Sequence, residues 1–286
     1  MHINVRVRSE TASTSPEIKE RMPALAPPVF IHAAPRTSST WFWLKFRELP
    51  SALCYYEPFT YALNWMTPQR AESLGGDSWD SRHPKDQPYY REYLPLLRKT
   101  NGVEHFQQAM TMQWYLPQGG LRGELRPAEK DYLSLLIEHA NEAGKTPVLG
   151  DCWSLGRIWT IKQTYDGFHI FQYRNLWQQW LSYLSYKRRG SLTFYLSTVD
   201  IIWRDSDPYF QYLVERGLKH SAEPWSGNGP KPSPLYWNRM YENIPRDPDK
   251  VRPLEVLPEH QAFALFMGLQ IYLYLHAQLC ATYRPT

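Results

Sequence analysis

The sequence predicts an α/β fold, a single domain with a central parallel sheet flanked by helices, and three observations predict it. Short strand-like apolar runs recur at Val29-Phe30-Ile31, Leu53 to Tyr56, Thr146 to Leu149 and Phe168 to Tyr173. The first, third and fourth are each followed by a helix-like segment, and strands that alternate with helices pair in parallel. The chain has 286 residues, of which 43% are apolar, enough for one large α/β core.

Taken in order, residues 1–28 read as a mobile N-terminal arm that closes on Ala26-Pro27-Pro28, and residues 29–286 as the domain. After the first strand, small and polar residues lead into a helical segment from Trp41 to Glu48. The second strand ends at Glu57-Pro58. Residues 66–90 are rich in Pro, Gly, Asp and Ser and read as a surface excursion. Helical patterns follow at 90–98, 103–114 and 127–143. In the last of these Pro127 suits the first turn, and Tyr132, Leu133, Leu136, Ile137 and Ala140 share a face. Leu155 to Thr164 and Leu176 to Lys187 are the helices after the third and fourth strands, the latter closed by Gly190. A Pro/Gly-rich stretch at 223–235 reads as a loop or lid. Segments 66–145 and 205–245 are expected to be acceptor-side insertions, because loops on a rigid scaffold carry specificity.

Composition excludes several classes. A net charge of +4 and a pI near 8.8 suit an anionic ligand but are too mild for nucleic-acid binding. Three unpaired cysteines, Cys54, Cys152 and Cys280, form neither a disulfide framework nor a zinc pattern, which points to a reducing, cytoplasmic compartment. No signal-peptide h-region is expected in residues 1–28. The best candidate for a membrane span, Ala262 to Leu279, contains Gln270, His276 and Gln278, and a buried helix is expected there instead. Aromatics reach 15%, which fits an aromatic core and an aromatic acceptor site equally well.

Two motifs carry chemistry. Pro35-Arg36-Thr37-Ser38-Ser39-Thr40-Trp41 lies between a strand and a helix. Unpaired amides at a helix start attract anions, hydroxyls from Ser39 and Thr40 add donors, and Arg36 adds a fixed cation. An ordinary Ser/Thr-rich helix cap is the alternative. The Gly-x-x-x-x-Gly-Lys-[Ser/Thr] pattern of Mg²⁺-dependent nucleotide hydrolysis is absent. In the second motif, Arg174 sits at a strand's C-terminal end, where ligands bind in open α/β sheets, and Ser182 lies about two turns into the next helix. A surface arginine and a packing serine would look the same.

In order and spacing, these motifs resemble the 3′-phosphoadenosine 5′-phosphosulfate (PAPS)-dependent sulfotransferases, of the bacterial and Golgi type. That family carries a Pro-[Lys/Arg]-[Ser/Thr]-Gly-[Ser/Thr]-Thr-[Trp/Leu] loop after its first strand, and an Arg and a Ser separated by seven residues after a later one. The resemblance spans about residues 29–65 and 146–190, and includes Gly156-Arg157-Ile158 and Phe168-His169-Ile170-Phe171-Gln172-Tyr173-Arg174-Asn175. It implies a sulfotransferase on a single P-loop-like domain, acting on a small-molecule acceptor such as a natural product through a hydroxyl or a nitrogen. It further implies that Arg36, Thr37, Ser38, Ser39, Thr40 and Trp41 hold the 5′-phosphosulfate. Trp41 would lie against adenine, Arg36 near the bridging oxygen, and Arg174 and Ser182 at the 3′-phosphate. The product would be adenosine 3′,5′-bisphosphate, with no metal. Three departures stand out: Ser38 replaces Gly, Arg36 replaces the Lys of phenol-type members, and Asp151 stands near an expected Lys, for which Arg157 is a candidate substitute.

The resemblance also places a base glutamate about twenty residues after the anion loop, where Glu57 stands in Cys54-Tyr55-Tyr56-Glu57-Pro58-Phe59. Adjacent strand ends would bring Glu57 to the sulfate, and Tyr55, Tyr56 and Phe59 would desolvate it and raise its pKa. A capping or Arg36-paired Glu57 is the alternative, and His32 and His169 are rival bases. Tyr55, Tyr56, Phe59, Tyr61 and Trp65, with Trp43, are candidates for the acceptor pocket or for the core. Lys187-Arg188-Arg189 reads as a solvated helix end. A non-catalytic adenosine-bisphosphate-binding module and a P-loop-like kinase are the competing functions.

Overall fold

The structure, a computed structural model, describes residues 26–75, 87–188, 194, 197–198, 201–202, 207–218 and 258–281. The 1–28 arm falls outside the described residues except for its last three, and so do Arg189, Gly190, the 223–235 stretch and most of 205–245.

Four strands, β1 (Val29–Ala33), β2 (Ala52–Tyr56), β3 (Thr146–Asp151) and β4 (Phe168–Gln172), form an all-parallel sheet in the order β2-β3-β1-β4. Val29 of β1 pairs with Val148 on one side and Phe168 on the other, and Tyr55 of β2 pairs with Leu149. The helices are α1 (Ser39–Arg47), α2 (Pro68–Ser73), α3 (Pro127–Glu142), α4 (Ile158–Thr164), α5 (Leu176–Arg188), α6 (Pro208–Leu213) and α7 (Glu259–Cys280).

The sheet is covered on both faces, as a parallel sheet requires. Successive side chains of β2 point opposite ways. Tyr56 packs on Trp43 of α1, and Tyr55 hydrogen-bonds His139 of α3 at 2.8 Å. Gly150 lets Trp43 lie directly on β3, since a Cβ there would stand 2.7 Å from the indole. Pro127 opens α3 as expected, and Glu129 returns to accept from the Arg126 amide at 3.0 Å. One core joins the sheet to α1, α3 and the Tyr89–Tyr93 aromatics, and a second gathers α4, α5, α6 and α7. The helix α7 is long and apolar enough to cross a membrane by length and composition. Here it packs on α4, α5, α6 and β4, with Leu265, Phe266, Leu269, Leu273 and Ala277 buried.

Two helical expectations are corrected. In place of a helix over 90–98 there is a 3₁₀ segment, Arg91–Leu96, with Pro95 inside it, and Pro95 lacks the N–H a helix needs. In 103–114 only Gln108–Met110 is helical, a 3₁₀ turn. The Arg157 guanidinium takes the Met110 and Trp114 carbonyls, and Arg98 takes that of Phe106, so these oxygens bond side chains rather than helix amides. The adjacency expected of β1 and β2 is also corrected, because β3 lies between them.

Candidate functional site

All four strands end on one edge, where the loop after β1, Glu57 after β2 and Arg174 after β4 emerge. The loop after β1 holds Arg36 and Ser38 in the left-handed region, at φ 68° and 71°. This is the conformation that glycine adopts without penalty and L-residues disfavour by about 1–2 kcal/mol. Ser38 is the N-cap of α1 but makes no side-chain cap bond, so the first amides of α1 are left as donors. The loop is braced from outside. Thr37 Oγ1 donates to the Ala34 carbonyl at 2.8 Å, Gln172 Nε2 to the Thr37 carbonyl at 3.2 Å, and Gln179 Nε2 to the Pro35 carbonyl at 2.8 Å. Tyr274 of α7 donates to Gln179 Oε1 at 2.8 Å and fixes the amide's orientation. Replacing Ser38 by Gly removes the left-handed strain and is expected to stabilise the protein by about 0.5–1 kcal/mol, read as a higher urea midpoint.

The two motifs meet. Arg36 Nε donates to Ser182 Oγ at 2.9 Å, and Arg174 Nη1 reaches the Arg36 carbonyl at 3.4 Å. The Arg36 guanidinium lies 4.5 Å from the Tyr186 ring centroid. The three residues expected at separate ends of a nucleotide are therefore in direct contact, with Arg36 turned toward α5. Trp41 is 59% exposed, its ring 5.9 Å from Lys45 Nζ, on the outer side of α1. Lys187 and Arg188 occupy the last turn of α5.

Glu57 emerges from β2, across β3 from the loop, also left-handed at φ 43°. Its amide donates to the Gly150 carbonyl at 2.7 Å. Cys152 Sγ donates to its Oε1 at 3.2 Å. Burial pushes Glu57 up to about 7; the charge of Asp151 adds to this, and the neighbouring Cys152 thiol and Tyr56 hydroxyl oppose it. Burial also raises Asp151, to about 6, against amide bonds from Phe59 at 2.7 Å and from Trp153. The hydroxyl of the preceding Tyr56 is tied to α1, 2.8 Å from Thr40 Oγ1.

Other candidates lie elsewhere. Tyr55 is on the opposite face of the sheet, and Phe59 is buried beneath Arg157, whose guanidinium is 4.2 Å from its ring centroid. Tyr61 and Trp65 flank a partly exposed 3₁₀ turn, Tyr61–Trp65, their rings 6.4 Å apart. Arg157 does not replace the missing Lys: it is fully buried and bonds Glu129 Oε1 at 2.8 Å. His32 and His169 form a buried pair, 3.2 Å between ring nitrogens, with Ser154 Oγ 2.9 Å from His32. Burial lowers His32 well below its usual value and His169 to about 4, so the pair is neutral and enclosed between β1 and β4.

Two cavities lie apart from this edge. One of about 670 Å³ is lined by Leu121, Arg122, Asp207, Tyr272, His276 and Leu279. The other, of about 860 Å³, is lined by Trp41, Lys45, Arg47, Glu92 and Lys145 among others. Neither includes Arg36, Arg174 or Glu57. The reading by motif missed Cys152, Gln172 and Gln179. Their roles come from sheet order and from α5 lying over the loop, and no local spacing marks them. Comparison with family models, with curated proteins and with solved structures gives no match for this chain.

Proposed function

We propose that this chain is a sulfotransferase, moving a sulfuryl group from PAPS to a hydroxyl or nitrogen of a small-molecule acceptor on a P-loop-like domain. One observation carries the reading: Arg36, Arg174 and Ser182 converge at the ends of β1 and β4, beside an α1 N-terminus with no side-chain cap. Such a cluster of amides, hydroxyls and guanidinium groups suits phosphate and sulfate. Opposite it, Glu57 has the proton affinity of a base working near neutrality.

The donor supplies an activated sulfuryl group. Glu57 accepts the acceptor's proton. The α1 amides and Arg36 meet the charge that develops on the departing oxygen, and one such donor is commonly worth about a hundred- to a thousand-fold in rate. Arg174 and Ser182 hold the far phosphate once Arg36 releases Ser182. A second reading, a bisphosphate-binding module without turnover, is favoured by the engagement of Arg36 with Ser182 and Tyr186.

A thermal-shift titration tests the nucleotide assignment. Adenosine 3′,5′-bisphosphate at a hundred times its Kd is expected to stabilise the fold by about 2.7 kcal/mol, and ATP with Mg²⁺ by much less. If ATP outperforms the bisphosphate, the kinase reading replaces this one. PAPS consumption with a panel of acceptors then separates enzyme from module.

A further inference from the structure

The cavity of about 670 Å³ lies between the C-terminal half of α7, the start of α6 and the turn at Gly119-Gly120. Its volume is that of a small-molecule site. Leu121, Pro208, Leu275 and Leu279 give it an apolar lining. Leu275 and Leu279 stand one turn apart on α7 and are 58% and 73% exposed. The Gly119-Gly120 wall carries no side chains to fill the space.

Three groups in the lining carry polarity or charge. Asp207 is committed to the scaffold: its Oδ1 accepts from the Tyr209 and Phe210 amides at 2.9 and 3.3 Å, and its Oδ2 from the Tyr272 hydroxyl at 2.9 Å. Arg122 is not committed. Its guanidinium lies 5.4 Å from the Trp159 ring centroid and makes no hydrogen bond or ion pair among the described residues. His276 is 8% exposed, with Nε2 3.8 Å from the Cys280 sulfur and no hydrogen bond to Nδ1 among the described residues. Burial first, and the charge of Arg122 second, lower His276 to about 4, so near pH 7 the ring is neutral and has one N–H to donate. A buried ring nitrogen without a partner is costly, and it gains most from a ligand that reaches it.

These features select a ligand class. Inorganic phosphate or sulfate would leave the leucines facing water. A hydrocarbon would leave Arg122 and His276 unmet, and a cation would be repelled by Arg122. One anionic head on an apolar body satisfies both kinds of wall. We propose that this cavity is a binding site for an apolar monocarboxylate, an alkyl or aryl acid whose head meets Arg122 and His276 and whose body lies on Leu121, Leu275 and Leu279. The site includes neither Arg36, Arg174 nor Glu57, and it does not depend on the nucleotide reading.

Calorimetric titration of the full chain with octanoate, octan-1-ol and octyltrimethylammonium tests this, since the three probes share one alkyl chain and differ in charge. Octanoate is expected to bind about tenfold tighter than the alcohol, the usual effect of a hydrogen bond to a charged group. The ammonium is expected to bind more weakly than either. Arg122→Met keeps a stem over Trp159, and it is expected to remove octanoate's advantage while leaving the affinity for the alcohol unchanged. Leu275→Glu, at an exposed position, sets a like charge at the mouth and is expected to weaken octanoate and strengthen the ammonium. Both variants are expected to keep the wild-type denaturation midpoint and wild-type binding of adenosine 3′,5′-bisphosphate. Equal affinity for octanoate and octan-1-ol overturns the proposal. So does octanoate binding that Arg122→Met leaves unchanged, and so does the absence of octanoate binding at millimolar concentration.

Discussion

Glu57→Gln is expected to lower sulfuryl transfer by about a hundred- to ten-thousand-fold, the usual contribution of a positioned base, and to leave adenosine 3′,5′-bisphosphate binding intact. The amide keeps the size of the side chain and can still accept from Cys152, but it cannot take the acceptor's proton. In the wild-type protein the rate should climb with pH as Glu57 ionises around pH 7. Stability should move the other way. The folded carboxyl is raised from 4.5 to about 7, so its contribution is fully present below the lower value and is lost as pH rises through the upper one. Asp151, raised from 3.8 to about 6, acts with the same sign over its own window. Above pH 7 the Gln variant is therefore expected to be more stable than wild type, on the order of 2 kcal/mol after allowance for the partial contact of Glu57 with solvent. Denaturation midpoints on both sides of neutrality measure this. A Gln variant that turns over at the wild-type rate removes Glu57 from the reaction.

Arg157→Met is expected to cost about 3–5 kcal/mol of folding stability, the usual result of stripping one partner from a buried ion pair. Arg157 and Glu129 are both fully buried and bonded at 2.8 Å. The same guanidinium also donates to the carbonyls of Trp153, Met110 and Trp114. Its removal orphans a carboxylate and three carbonyls at once, and Arg126, 3.3 Å from Glu129, compensates only in part. Replacing Glu129 by Leu as well removes the stranded charge and should recover part of the loss. Chemical denaturation of the wild-type protein and the two variants decides the matter. If Arg157→Met unfolds like wild type but binds bisphosphate poorly, Arg157 belongs to the site and not to the scaffold.

Much of the fold was legible because its signals are local. Val29-Phe30-Ile31 is β-branched and aromatic, Pro127 marks a helix start, and the alternation of strands with helices dictates parallel pairing. The positions of Arg36 and Arg174 at strand ends were legible, but their direct contact was not, since a nucleotide was expected between them. What failed depended on contacts distant in sequence. Residues 103–114 carry a helical pattern, yet Arg98 and Arg157 claim their carbonyls. Tyr55 and Phe59 stood beside Glu57 in the sequence, but pleating sends Tyr55 to the opposite face, and Phe59 turns under Arg157. Cys152 carried no motif. It reaches Glu57 because β3 inserts between β1 and β2, an order that adjacency along the chain does not announce.

That inserted strand bears on how the chain assembles. Among the described residues β2 has β3 as its sole neighbour in the sheet, and β1 pairs only with β3 and β4. As the polypeptide leaves the ribosome, both early strands wait without a hydrogen-bonding partner until Thr146–Asp151 emerges. Pairings so remote along the chain close slowly, because the entropy of the intervening loop is lost before any ladder forms. During that interval Val29–Ala33 and Ala52–Tyr56 have no ladder partner and are open to pairing with other chains.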